Sequence, residues 1–404
     1  MTKQSLGVAV IGAGMAGRSH AEAYRVAPTL YESVLPEIRF VAICDANAGF
    51  AETAAKRFGY ERFETDWHRI AEADDIDVVS VVVANALHRE MVEGLLAAGK
   101  HVLCEKPLSD SIENARAMAK AAREASTVAR VGFTYRRQPA IAAIRELIQD
   151  GTLGKVINFS GRYWCDYSFD AMSPMAWRYR GAPGTGALGD VASHLSYIGE
   201  FMGGQITEVS GGRFLTAISK RPLPLADVQG HGPAAVSDEF EEVTNDDYAG
   251  FGAQLADGGV ATFEVSRVAA GHPNGLKFEV FCEKGAARFD MLNPGHFELF
   301  LNEGPYGRNG YRGISVGPDH PYFSNGLPMD APGVGVGQND GFYFQARAFL
   351  EEVAGIPEEK SLPRNASFDE GLRNMVVLNA VAESAQQGGA AVSINDDSIN
   401  DGEI

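Results

Sequence analysis

The stretch Gly12-Ala13-Gly14-Met15-Ala16-Gly17 constrains what this chain can fold into more than any other feature. Gly7-Val8-Ala9-Val10-Ile11 before it is continuously apolar, as in a strand buried on both faces of a parallel sheet. From Met15 to about Ala27 the chain reads as a helix. A strand, three glycines at this spacing and a helix make the opening of a dinucleotide-binding fold. The first glycine allows the tight turn, the second lets the backbone approach a pyrophosphate, and the third lets helix and strand pack closely. The helix N-terminus adds unsatisfied N–H groups and a positive dipole for the phosphates.

The alternation of strand and helix continues. Phe40-Val41-Ala42-Ile43-Cys44 is a second strand, and its helix runs to Phe58 and stops at Gly59, a favourable residue just past a helix end. A short strand at Arg62-Phe63 precedes Asp66, an N-cap for the helix carrying Trp67. Val78 to Val83, His101 to Cys104 and Thr127 to Val131 are further strands, and Asp110 with Glu113 is expected to form a capping box between the last two. This pattern requires crossovers and a doubly wound parallel sheet. We assign residues 1–134 to an α/β Rossmann domain.

Beyond about Lys155 the period changes to two. Ala249 to Leu255 and Val260 to Val265 flank Asp257-Gly258-Gly259, and Lys277 to Phe281 and Ala286 to Phe289 flank Glu283-Lys284-Gly285. Both read as hairpins. Residues 135–395 are expected to form an α+β domain with a large, open, mostly antiparallel sheet, with helices at Phe342–Val353 and Phe368–Ser384 able to pack back on the first domain. The Gly- and Pro-rich stretch Gly304–Gly337 is too long for a plain connector. Residues 396–404 read as a loose acidic tail.

With 404 residues, two domains are the natural expectation. A formal charge of −18 argues against nucleic acid or an anionic membrane as partner. Cys44, Cys104, Cys165 and Cys282 are scattered without metal-binding spacing, as in a reducing cytoplasm. The N-terminus shows no signal-peptide pattern and no apolar run long enough to span a membrane, so a cytoplasmic location is expected.

Several residues stand where chemistry is expected. Asp45 ends the second strand, where an acid hydrogen-bonds the adenosine ribose and repels a 2′-phosphate, which favours NAD over NADP. Its spacing from the glycines exceeds the usual ~20 residues because Leu30–Arg39 looks like an insertion. The alternative is a helix cap. Asn85 and His88 follow the fourth strand at its ligand-facing end, although His88 could equally pack inside. Glu105-Lys106-Pro107 leaves the fifth strand at the same edge, and the proline keeps Lys106 extended. A lysine there can donate to a substrate oxygen. Asp190 and His194 stand at i and i+4, on one face of a helix, as an imidazole general base beside a carboxylate. A capped core histidine and a metal pair are the competing readings, and the metal reading lacks a third ligand. Tyr135-Arg136-Arg137 and Trp177-Arg178 are aromatic–basic pairs suited to a sugar or cofactor, or to capping local structure.

These residues resemble the glucose-fructose oxidoreductase / inositol 2-dehydrogenase / MocA superfamily (Gfo/Idh/MocA) over nearly the whole chain. The glycine turn, Asp45, Glu105-Lys106-Pro107 and Gly189-Asp190-x-x-x-His194 occur in the family's order. Gly132-Phe133-Thr134-Tyr135-Arg136-Arg137 and Gly317-Pro318-Asp319-His320-Pro321-Tyr322 look like its levoglucosan-dehydrogenase-like members. The resemblance implies an NAD-dependent dehydrogenase acting on a hydroxyl of a sugar, glycoside, anhydrosugar or inositol, working as a homodimer or homotetramer. Lys106, Asp190 and His194 would form the catalytic group. Gly12, Gly14, Met15, Ala16, Gly17, Asp45, Asn85, His88, Glu105, Lys106, Trp177 and Arg178 would meet the cofactor. Tyr135, Arg136, Asp166 and Tyr197 would join the catalytic group around the substrate. Tyr197 departs from the family, many of whose members keep an aspartate there. The same superfamily also contains glycosidases that oxidise a sugar transiently and regulators that only sense NAD.

Overall fold

The structure is a computed structural model of the chain, and it describes residues 4–32, 35–226, 234–305, 308–324, 326–331 and 333–395. The tail expected at 396–404 lies outside the described residues. The chain divides into two compact units, Met1–Arg137 with Gly317–Leu372, and Gln138–Val316 with Arg373–Ile404.

In the first unit β1 (Ser5–Ile11), β2 (Glu37–Cys44), β3 (Arg62–Glu64), β4 (Val78–Val81), β5 (His101–Glu105) and β6 (Ala129–Gly132) alternate with α1 (Met15–Val26), α2 (Ala48–Phe58), α3 (Trp67–Glu72), α4 (His88–Ala97) and α5 (Ile112–Glu124). Among the described residues these strands form one parallel sheet in the order β6-β5-β4-β1-β2-β3, with the short strand Ala366–Ser367 antiparallel on β6. That is the doubly wound arrangement, in which the strand order reverses beside β1. Val8, Val10, Tyr24 and Ile43 form its core, which Ala346, Phe349 and Leu350 of the helix Asp340–Val353 complete. Gly59 ends α2 with a left-handed φ of 66°, and Asp66 caps α3 by accepting the His68 N–H. The expected capping box is corrected: Ser111 caps α5 by accepting the Asn114 N–H, while Asp110 accepts from the Asn114 side chain.

The second unit contains α6 (Pro139–Gln149), β7 (Val156–Trp164), α7 (Ser193–Gly203), β8 (Ile206–Leu215), β9 (Lys220–Pro224), β10 (Val236–Glu242), β11 (Tyr248–Leu255), β12 (Val260–Ser266), β13 (Gly275–Cys282), β14 (Gly285–Asp290), β15 (His296–Leu301) and β16 (Arg312–Ser315). The large sheet has the order β16-β15-β14-β13-β7-β12-β11-β8, closed by the strand Val392–Ser393. Both expected hairpins are present as β11–β12 and β13–β14. β7 and β12 run parallel, and the other neighbouring strands of this sheet run antiparallel. Burial alternates along most of β7, β11, β12 and β13, and Phe159, Phe263, Phe278 and Phe289 pack across one face. Each buried phenylalanine contributes about 1.5–3 kcal/mol, which anchors α7 against that face. Among the described residues no helix is long and apolar enough to cross a membrane.

Candidate active site

The glycine turn behaves differently at each of its three positions. Gly12 has a φ of 105°, and a Cβ there would lie 2.0 Å from the Val82 carbonyl oxygen. A Cβ at Gly17 would lie 1.8 Å from the Gly12 oxygen. Both positions therefore forbid a side chain for reasons internal to the fold. A Cβ at Gly14 would meet nothing within 4 Å. Its bareness leaves open space at the start of α1, where no side chain caps the first turn and Met15 is exposed. Ala16 continues the turn. Open space facing uncapped N–H groups and the helix dipole suits a pyrophosphate, so these residues fit a dinucleotide.

Asp45 stands at the end of β2 beside this turn. Its Oδ2 accepts the Ala13 N–H at 2.8 Å and its Oδ1 accepts the Asn47 N–H at 2.9 Å. It does not cap α2, because Asn47 does so by accepting the Phe50 N–H. Glu64 and Asp66 add charge nearby. Burial, followed by the repulsion of Asp45, Glu64 and Asp66, pushes the Cys44 thiol up to about 12.

Lys106 follows β5 at the same edge of the sheet, and its bond to Pro107 is cis. Its N–H donates to Glu105 Oε2 at 3.0 Å. Glu105 Oε1 lies 2.9 Å from His20 Nε2, and His20 Nδ1 lies 3.0 Å from Ser80 Oγ. Neither His20 nor Ser80 stood out in the sequence, although a histidine on the inward face of the glycine-turn helix was a signal available to find. Asn85 opens a 3-10 turn after β4 and is partly exposed. The cofactor contact expected of His88 is corrected. Its ring is fully buried, with Nδ1 and Nε2 3.1 and 3.2 Å from the carbonyl oxygens of Leu108 and Val83, and burial lowers its pKa. It ties the backbone just past β4 to the backbone two residues beyond the lysine. Tyr135 is buried, and its hydroxyl accepts from Gln338 at 2.9 Å. Arg136 pairs with Glu370 at 3.1 Å, and Arg137 lies in the core on Asn365 and Tyr322.

In the second unit, Asp190 lies in a π-helical turn, Leu188–Ala192, that runs directly into α7. The sequence pattern suggests a plain α-helix here, whereas the structure has a π turn that bonds i to i+5; positions i and i+4 still fall on one side of such a turn. Asp190 accepts the Tyr167 hydroxyl at 2.6 Å. Tyr167 holds its proton far beyond the ordinary range, because burial and then the Asp190 charge disfavour the phenolate. His194, on the first turn of α7, lies beside the Tyr163 ring at 6.1 Å between centroids. Tyr197 is buried and stacks on Phe201. Asp166 and Trp177 sit in the loop after β7, Trp177 exposed with the Arg178 guanidinium over its ring at 4.5 Å.

A buried acidic hub shapes this region, and no local pattern in the sequence marks it. Asp246 accepts the N–H groups of Gly184, Gly186 and Leu188 at 2.7, 3.0 and 2.8 Å, which fixes the glycine-rich entry to the π turn. Asp247 pairs with Arg267 at 2.8 Å, and Arg267 also donates to the Arg178 carbonyl at 2.9 Å.

Comparison with known proteins agrees with this geometry. Residues 6–133 match a family model described as an oxidoreductase family with an NAD-binding Rossmann fold, and residues 141–288 match the GFO/IDH/MocA C-terminal domain. A levoglucosan dehydrogenase from Pseudarthrobacter phenanthrenivorans is 33% identical, over 95% of this chain and 96% of its own. A solved levoglucosan dehydrogenase in complex with NADH and levoglucosan superposes with a TM-score of 0.86 at 31% identity, covering 96% of this chain and 99% of that one. An oxidoreductase domain protein from Kribbella flavida gives 0.85 at 34% identity, covering 98% and 100%. The chain belongs to the GFO/IDH/MocA family of oxidoreductases, built on an NAD-binding Rossmann fold.

Proposed function

We propose that the chain is an NAD-dependent dehydrogenase that moves a hydride between nicotinamide and a hydroxyl carbon of a sugar, glycoside, anhydrosugar or inositol. The observation that carries this reading is the edge of the parallel sheet, where the open Gly14, the tethered Asp45 and Lys106 lie together. The 33% identity to a levoglucosan dehydrogenase over 95% of the chain makes anhydrosugars the first substrates to try. In this reading His194 takes the hydroxyl proton, Lys106 polarises the same oxygen, and Asp190, held by Tyr167, sets the charge around the base. NAD, when bound, supplies the hydride acceptor. The acid cluster at Asp45 supports NAD over NADP. The open polar face of the large sheet supports a homodimer or homotetramer. The four buried cysteines, all free thiols, support a reducing compartment such as the cytoplasm.

The test is NADH absorbance with NAD and a panel of levoglucosan, other anhydrosugars, glycosides and inositols. Net NADH should accumulate with at least one. Lys106→Ala and His194→Ala should each cut that rate by ~10²-fold or more, with NAD affinity little changed. Product without net NADH would mean transient oxidation, and NAD binding with no product from any sugar would leave only cofactor sensing.

A further inference from the structure

A buried polar chain runs beneath Lys106, and the proposed reaction does not use it. It begins at Tyr24 on α1, 0% exposed, whose hydroxyl lies 2.8 Å from Ser80 Oγ in β4. Ser80, also 0% exposed, lies 3.0 Å from His20 Nδ1. His20 is 2% exposed, and its Nε2 lies 2.9 Å from Glu105 Oε1. Glu105, 8% exposed, closes the chain by accepting the Lys106 N–H on its other oxygen at 3.0 Å. Gly132 of β6 makes room for that carboxylate, since a Cβ there would come within 2.7 Å of Oε1.

The donors and acceptors fix a direction. An ionised carboxylate only accepts, so His20 Nε2 must carry a proton. Nδ1 can then accept the Ser80 hydroxyl, and Ser80 Oγ can accept from Tyr24. Burial pushes the Tyr24 phenol well above its ordinary pKa, which keeps it a donor. Phe342 holds the imidazole by an edge contact, 5.4 Å between centroids. Buried polar groups are costly unless each is satisfied, and an apolar residue at position 20 would avoid that cost. What the chain supplies is a fixed link between α1, whose first turn forms the dinucleotide seat, and the backbone of the lysine.

We infer that His20 is a positioning residue for Lys106: it orients the Glu105 carboxylate, which in turn holds the lysine's peptide N–H. The lysine is thereby held in register with the cofactor seat. The inference rests on the proposed role of Lys106.

Two substitutions separate this role from simple packing. His20→Gln places an amide where Nε2 was and keeps the bond to Glu105. His20→Asn places one near Nδ1 and keeps only the bond to Ser80. Both are polar, and melting by circular dichroism checks that they fold. The first readout needs no cofactor: hydrogen exchange of the Lys106 amide in the apoprotein. His20→Asn should exchange at least ~10-fold faster than His20→Gln. The second is steady-state kinetics on whichever sugar the panel identifies. kcat should fall at least ~10-fold further in His20→Asn than in His20→Gln, since a small misplacement costs turnover, while KM and NAD affinity stay within about threefold. Equal effects in the two variants, a greater loss in His20→Gln, or a difference in only one of the readouts overturns the inference. Glu105→Ala probes the same link from its other end, and unchanged kcat there would also overturn it. Lys106→Ala is the control. Near-normal turnover in that variant defeats the role of Lys106 itself, and the exchange contrast in the apoprotein remains readable either way.

Discussion

Asp45 holds its charge still, because both carboxylate oxygens are committed to backbone N–H groups. A 2′-phosphate would meet a fixed carboxylate with Glu64 and Asp66 close behind. Wild type should therefore bind NAD more tightly than NADP, and Asp45→Ala should shrink the ratio of dissociation constants by ~10-fold or more, which is about 1.4 kcal/mol. Fluorescence titration of both nucleotides measures it, and an unchanged ratio would move the discrimination to Glu64 and Asp66. Tyr167 offers a second test. Its hydrogen bond to Asp190 is short and charge-assisted, and such bonds contribute roughly 1.5–3 kcal/mol. Tyr167→Phe should lower kcat/KM about 10-fold while NAD affinity holds. Loss of NAD binding instead would make Tyr167 a cofactor residue. At this scale local spacing in the sequence singled out Gly12, Asp45 and Lys106, which stand just past the ends of β1, β2 and β5. Tyr167 and His20 were hidden because their partners lie 23 and 85 residues away.

The entry to α7 shows how a remote group reshapes an element. Three demands on Asp246, from Gly184, Gly186 and Leu188, pull the chain into a turn wider than an α-helix. Asp246→Asn keeps only one accepting oxygen and leaves a buried N–H without its partner. It should cost about 1–3 kcal/mol in urea unfolding and lower kcat through the displaced Asp190. Gly186→Ala should do the same by another route, since its Cβ would lie 2.1 Å from the Asp246 carbonyl oxygen. Wild-type kcat in either variant would detach the π turn from catalysis. The strands were legible because burial on one face imposes a period of two, and the parallel sheet because burial on both faces erases it. The π turn was not, because its cause sits in a separate strand-to-strand loop. The cap of α5 was misplaced by one residue because Asp110 and Ser111 are both good caps, and only geometry shows which oxygen faces the Asn114 N–H.

At the scale of the molecule, one buried histidine reports on the returning segment Gly317–Leu372. Burial lowers the His320 pKa to about 4, against an ordinary 6.5, and its Nδ1 accepts the Tyr322 N–H. The unfolded chain therefore takes up this proton at higher pH than the folded one. The associated stability is complete above about pH 6.5 and is lost as pH falls toward 4, on the order of 2 kcal/mol between pH 7 and 5. His320→Gln should flatten that part of the urea-stability profile relative to wild type, and parallel profiles would show that His320 does not set it. The sequence marked Gly304–Gly337 as more than a connector, and the structure divides it between the edge strand β16 and the return to the first unit. Periodicity cannot show such a division, because it follows from which core each part buries.

The interruption of the first unit has a consequence for synthesis. A ribosome delivers this chain in order, so the apolar face of α1 waits for Ala346, Phe349 and Leu350 until all of the second unit's main segment has emerged. At ~5–20 residues per second, the roughly 320 residues between α1 and the helix that carries them leave the nascent surface bare for about 16–64 s. A stalled or truncated product ending near Arg137 should therefore aggregate or occupy chaperones, whereas the same fragment supplied with residues 317–372 should be rescued.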